Sequence, residues 1–376
     1  MFPGAQSSQL TPEQSEILDA QYFKSDPYLY YRSRIDSILH WVDSGDLDRT
    51  QGMAATVWQR LGRKGLEDKA PPAKERDSFA AIEAFMLRHH LAEAIARFTW
   101  ACINQDKTSD EKKRAGFYLA LVDSPMKTGQ VLTTVIETLA QDTEGLYFNK
   151  LLMPGDLLDA VRAGEFKRDE VEAVFHNLCN WLWRSFDVID NDRLPDLNSA
   201  YNKMKHGFAV RPDNRLRMDL LSEPPKSERG YSVQELNGPK AHKFLTGYTA
   251  SFLSRNKRDG AWDYTAMNIP TDALLAECEM LAMVYGALFR ARALPVARSA
   301  SEQWRVADYP PVSARPTPEE FLKNSGYNGV VTAATFKKDG SPCDRSTIFS
   351  SPAVEWPATV QKSKKFTAFN DPDDSE

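Results

Sequence analysis

The feature that most constrains this chain is the run from Asp77 to Asn104. Phe79, Ile82, Met86, His89, Glu93, Ala96 and Trp100 recur there at steps of three or four. Only an α-helix brings that spacing onto one face, and a helix of that length must lay the face against other elements. Two later segments repeat the pattern. Lys167 to Ile189 carries Val171, Val174, Phe175, Leu178, Leu182, Phe186 and Ile189 on one stripe, and Thr271 to Leu294 is helical throughout. Upstream, Thr11-Pro12-Glu13-Gln14 is a helix start: Thr caps, Pro takes the first turn, and Glu13 meets the positive end of the dipole. Asp26 to Asp43 and Asp46 to Leu61 follow as helices. Shorter ones are expected after Ser109, from Ser124 to about Ala140, and over 156–164. The expected fold is mainly α, a helical bundle.

Past Val210 the pattern shortens. Segments 215–223 and 230–236 read as strands separated by Pro224-Pro225 and Gly230, giving a small β-hairpin-like insertion near 210–240. From about 300 the chain turns rich in Pro, Ser and Lys, and 340–376 reads as a largely disordered C-terminal tail. The expected division is N-terminal helices over 1–76, a helical core domain with the strand insertion over 77–300, and a C-terminal segment over 301–376.

Composition excludes several classes. With 42% hydrophobic residues and 26% charged, the 376 residues resemble an ordinary globular chain. A formal charge of -5 gives no global field toward nucleic acid, although a local patch could supply one. The cysteines Cys102, Cys179, Cys278 and Cys343 lie far apart, which suggests neither a disulfide framework nor a thiolate zinc site and fits a reducing cytoplasm. The N-terminus lacks the basic and apolar regions of a signal peptide, and no stretch is apolar enough for a membrane span. No Walker loop, GxGxxG or GxSxG occurs, so no cofactor is expected. His89 and Glu93 make half a metal site at best, so no metal is expected either; Glu93 reads as a buried carboxylate paired with Arg97 or with a base from another helix.

The segment 197-LNSAYNKMKHGFAV-210 is the main site candidate. As a helix capped by Asp196 it turns Leu197, Tyr201, Met204 and Phe208 toward a core. Asn198, Asn202, Lys205 and His206 then form a polar edge, and Gly207 ends the helix. A cation and an imidazole at a helix C-terminus also simply suit its negative dipole end. Lys203, Lys205, Arg211, Arg215 and Arg217 crowd around His206 as a local positive patch that suits a phosphate-bearing partner. An imidazole there can transfer protons near neutral pH.

A helix with two Asn that ends in Asn-x-x-Lys-His-Gly, then a short strand insertion and a long final helix, resembles bacterial members of the HEPN superfamily of helical domains. The resemblance implies a metal-independent ribonuclease or RNA-binding protein, a homodimer, and a setting in bacterial defence or toxin systems. The family's Arg ahead of the His has no counterpart here, because positions 199–201 are Ser, Ala and Tyr. By resemblance His206 would be the general acid/base, Asn202 would position the phosphate, Lys205 and Arg88 would stabilise its charge, and Glu93 would orient a cation. The alternatives are a non-catalytic helical scaffold that binds a partner, or a small-molecule pocket lined by Trp100, Tyr201 and Glu93.

Overall fold

The computed structural model describes residues 10–44, 52–62, 72–107, 116–142, 146–190, 197–205, 210–213, 217–221, 241–245, 249–255, 262–299, 304–324, 330–336 and 348–350. It is mainly helical. In chain order the helices are α1 (Pro12–Phe23), α2 (Pro27–Ser44), α3 (Gly52–Arg60), α4 (Ala73–Lys107), α5 (Phe117–Val122), α6 (Thr128–Gln141) and α7 (Leu146–Leu152). They continue as α8 (Gly155–Arg162), α9 (Arg168–Ile189), α10 (Leu197–Lys205), α11 (Thr271–Ser299) and α12 (Pro318–Asn324). Among the described residues no helix is long and apolar enough to cross a membrane.

α1 begins as its sequence dictates. The Thr11 hydroxyl accepts from the Gln14 amide while the Gln14 side chain accepts from the Thr11 amide, a complete capping box. Its Asp19 carboxylate then serves another helix, accepting from the amides of Phe117 and Tyr118, each at 2.8 Å, at the open start of α5.

The periodicity of α4 suggests one buried face, and the structure buries nearly the whole circumference. Ala80, Ile82, Phe85, Leu87, Leu91, Ile95 and Phe98 point in several directions around the helix and are all inaccessible. The cause is position: α2, α5, α6, α9 and α11 all pack on it, making it the axis of the bundle. α11 is similarly enclosed, with Leu274, Cys278, Leu281, Val284 and Leu288 in the core. The polar insertions in these two helices pair with each other. Arg88 Nε lies 2.6 Å from Glu277 Oε2, and Arg184 Nε of α9 lies 2.8 Å from Glu277 Oε1. Burial alone would raise the Glu277 carboxyl, but Arg184 and Arg88 outweigh it and hold the group ionised below its ordinary value.

The strands are β1 (Arg211–Asp213), β2 (Arg217–Leu221), β3 (Ala241–Leu245), β4 (Thr249–Arg255), β5 (Trp262–Asn268), β6 (Val330–Phe336) and β7 (Ile348–Ser350). β2 and β3 form an antiparallel pair with Asp219 opposite Lys243. The other five make an antiparallel sheet in the order β1-β4-β5-β6-β7, and its β1 and β4 lie against α4. Thus the strand region extends past the expected limit of 240 to 268, and the C-terminal segment adds two strands to the same sheet. The reason is that β5 leaves an edge that the distant β6 completes, a pairing with no local signal. The expected strand at 230–236 and the segments 340–347 and 351–376 of the expected tail lie outside the described residues. Earlier in the C-terminal segment, the chain from Trp304 to Asn324 is fastened to the bundle. Asn177 Nδ2 donates to the carbonyls of Ser313 and Pro316, Trp181 Nε1 donates to Pro316 at 2.9 Å, and the Tyr309 hydroxyl donates to Leu152.

Candidate functional site

Helix α10 packs on α4 through its apolar stripe. Tyr201 and Met204 are buried, as their spacing implies, while the side chain of Leu197 and residue Phe208 lie outside the described residues. The Tyr201 ring stacks on His89 with centroids 5.1 Å apart and planes 18° from parallel. Its hydroxyl reaches past that histidine to donate to Glu93 Oε2 at 3.3 Å. The second oxygen of Glu93 accepts from the Thr128 hydroxyl at 3.1 Å, and Lys205 Nζ approaches Oε2 to 3.7 Å. Glu93 is thus paired with a base from another helix. Arg97, the other candidate, donates instead to Ser124 Oγ and to the carbonyls of Pro125 and Met126, and so fixes the turn ahead of α6. That turn is why α6 begins at Thr128 and not beside Ser124.

These groups border a cavity of about 420 Å³ between α2, α4, α5, α10 and α11. From α4 come Met86, His90, Glu93, Ala94 and Arg97, one face at helical spacing. The remaining walls are Arg34 of α2, Leu121 of α5, Tyr201 and Lys205 of α10, and Tyr285 of α11. Arg34 NH1 lies 3.1 Å from His90 Nδ1. A guanidinium can only donate, so Nδ1 accepts and the neutral ring carries its proton on Nε2. Burial, then the charges of Arg34 and Lys205, push the His90 imidazole below its ordinary value against the smaller opposing effect of Glu93, so it is neutral at pH 7. Burial and the neighbouring Glu93 raise the Tyr201 phenol, which remains a donor.

The charges are unbalanced. Arg34, Arg97 and Lys205 face a single carboxylate, Glu93. Among the described residues neither arginine has an acidic group within ion-pair distance. Both guanidiniums are half-buried, where a charge is screened less than at the surface. The lining can therefore hold an anion beside an apolar wall of Met86, Ala94 and Leu121.

The structure brings together some of the sequence-derived residues. Glu93 and Lys205 meet at the cavity. Asn202 is exposed on α10, Lys203 is half-buried and Arg211 is exposed on β1, all outside the lining. Arg88 is fully buried, and its Nε is bound to Glu277 in the core, away from the cavity walls. Of the expected pocket set, Tyr201 and Glu93 line the cavity and Trp100 does not. His206, Arg215 and the side chain of Arg217 lie outside the described residues. Sequence reasoning passed over Arg34 and placed His89, not His90, on the polar line. His89 is instead a core residue whose Nδ1–H donates to the Phe85 carbonyl at 3.0 Å. The signal that could have found Arg34 is its place one turn after Tyr31 on an otherwise apolar face. The described residues contain no group of three His, Cys, Asp or Glu side chains placed to hold a metal ion. Comparison with family models, with curated proteins and with solved structures finds no match to this chain.

Proposed function

We propose that this protein binds RNA at the cationic end of α10, as a HEPN-like helical protein. The observation that supports it best is the cavity itself: three cations and a donor imidazole open beside the Lys203–Lys205 turn, in a chain whose net charge is -5. Phosphate oxygens are the natural partners of Arg34 and Lys205, Lys203 and Arg211 add cations on α10 and β1, and Arg215 and Arg217 follow closely in the sequence. The resemblance adds a homodimer, and the buried thiols Cys102, Cys179 and Cys278 suit a reducing cytoplasm. The test is fluorescence anisotropy with a single-stranded RNA over a salt series. Affinity should fall as salt rises, and Lys203→Glu with Lys205→Glu should abolish most of it. Binding that is indifferent to both salt and these reversals overturns the proposal.

A second reading, metal-independent cleavage, is favoured by His90, whose tautomer Arg34 fixes as an Nε2–H donor. In that reaction His206 takes the ribose 2′-hydroxyl proton and the freed oxygen attacks the adjacent phosphorus. The 5′-oxygen leaves with the proton that His206 then carries, which forms a 2′,3′-cyclic phosphate, while neutral His90 donates a hydrogen bond from Nε2 and Lys205 stabilises the charge on phosphorus oxygens. Incubation of RNA in EDTA checks it. Product that persists in both His206→Ala and His90→Ala rules the reading out.

A further inference from the structure

We infer that the cavity takes a single phosphate-bearing nucleotide unit, its phosphate between Arg34 and Lys205 and its base against the apolar wall. The inference rests on the RNA reading above and makes it specific to one pocket. The cavity is two-sided. Arg34 NH1 lies 3.1 Å from His90 Nδ1, and Lys205, 3.7 Å from Glu93, lines the same cavity. Met86, Ala94 and Leu121 supply the apolar wall. Such a lining selects a ligand with an anionic head and a flat, weakly polar body. A bare phosphate would leave the apolar wall empty, and a nucleoside would leave the two excess charges unanswered. The space of about 420 Å³ falls within the range of small-molecule sites.

The head group is recognised by complementary parts. Arg34 offers a planar fork, of which NH1 is engaged by His90 Nδ1. His90 Nε2–H is a neutral donor with its tautomer already set. Lys205 is held over the Tyr201 ring, 5.4 Å from its centroid, and shares Glu93 with the Tyr201 hydroxyl. Glu93 is therefore a counter-charge that competes with the phosphate for Lys205. This gives the site a distinguishing property, because removing the carboxylate should strengthen anion binding while a merely structural Glu93 would weaken it.

The experiment is isothermal titration of the full chain with AMP, adenosine and inorganic phosphate at low salt, beside short RNAs carrying a 5′-phosphate or a 5′-hydroxyl. AMP should bind saturably and adenosine at least about tenfold more weakly, the loss expected for charge-assisted hydrogen bonds. Arg34→Gln should weaken AMP by a similar factor, and Glu93→Gln should tighten it. Circular dichroism of each variant shows that it is folded. Preference for the 5′-phosphorylated RNA over AMP identifies an RNA end as the ligand, and equal binding identifies the free nucleotide; both support the site. RNA binding without AMP binding overturns this inference and leaves the RNA reading intact. AMP binding without RNA binding supports the site and sinks that reading. Equal affinity for adenosine and AMP, or no effect of Arg34→Gln, also overturns it.

Discussion

The Tyr201 hydroxyl donates to Glu93 Oε2 across 3.3 Å, and this bond ties the nine-residue helix α10 to the bundle axis α4. Tyr201→Phe keeps the ring stacked on His89 and deletes only the hydroxyl. The expected cost is about 0.5–1.5 kcal/mol in urea unfolding, the net worth of one such bond. Tyr201→Ala removes the buried ring as well and should cost about 3–5 kcal/mol, by analogy with large aromatic truncations in cores. Equal stability of the two variants would show that α10 does not dock through this residue.

Glu277 balances two buried guanidiniums, so its substitution should be among the most damaging in the chain. Glu277→Gln removes the buried carboxylate charge that Arg88 and Arg184 share, with an expected loss of about 3–5 kcal/mol. Thermal unfolding followed by circular dichroism measures it. Because Arg88 belongs to this cluster, Arg88→Ala should impair folding before it touches any RNA-dependent property.

The core histidine His89 predicts a specific acid sensitivity. Burial, reinforced by the charge of Arg88, depresses its imidazole to about 3 despite the opposing bond to the Phe85 carbonyl, with Arg184 a further depressing charge. The folded pKa lies below that of the unfolded chain, near 6.5, so the unfolded state binds the extra proton between these values. Stability from this group is complete above about 6.5 and is lost progressively as pH falls toward 3. At pH 5 the loss is roughly 2 kcal/mol. His89→Phe removes the titration, so the gap in unfolding free energy between wild type and variant should narrow or reverse from pH 7 to pH 5. A constant gap would contradict a buried neutral His89.

Gly286 sets how closely α2 approaches α11. A Cβ there would come within 2.9 Å of Tyr28 Cβ and 3.3 Å of Pro310 Cγ, atoms held on both sides. Gly286→Ala must push α2 outward, at about 1–3 kcal/mol for overpacking. α2 also carries Arg34, so the same variant should weaken AMP binding in the titration. Destabilisation without any change in AMP affinity would separate the helix packing from the pocket.

The helices were legible because their signals are local. Thr11 and Gln14 cap α1 within four residues, and the stripes of α2, α9 and α10 recur at spacings that only a helix aligns, as buried Tyr31, Ile35, Phe175, Leu182, Tyr201 and Met204 show. That Glu93 needs a basic partner was also legible, since a carboxylate on an apolar line must be paired, with Arg97 and a base from another helix both open. Which base it meets was not legible from the sequence. Lys205 lies more than a hundred residues away, and Arg97, one turn from Glu93, is drawn off by three oxygens of a turn. In the same way His89 and His90 are adjacent in sequence and indistinguishable in type. Only the packing of α10 and α2 against α4 turns one into the core beside Tyr201 and the other to the cavity beside Arg34. The sequence by itself determined which segments are helices and which faces are apolar, because those follow from backbone periodicity and local hydrogen bonds. The tertiary structure alone decided that Arg88 belongs to a buried charge cluster, that Arg34 joins the site, and that strands after 330 complete the sheet. Each depends on charges and edges from distant parts of the chain that find partners only when the bundle closes.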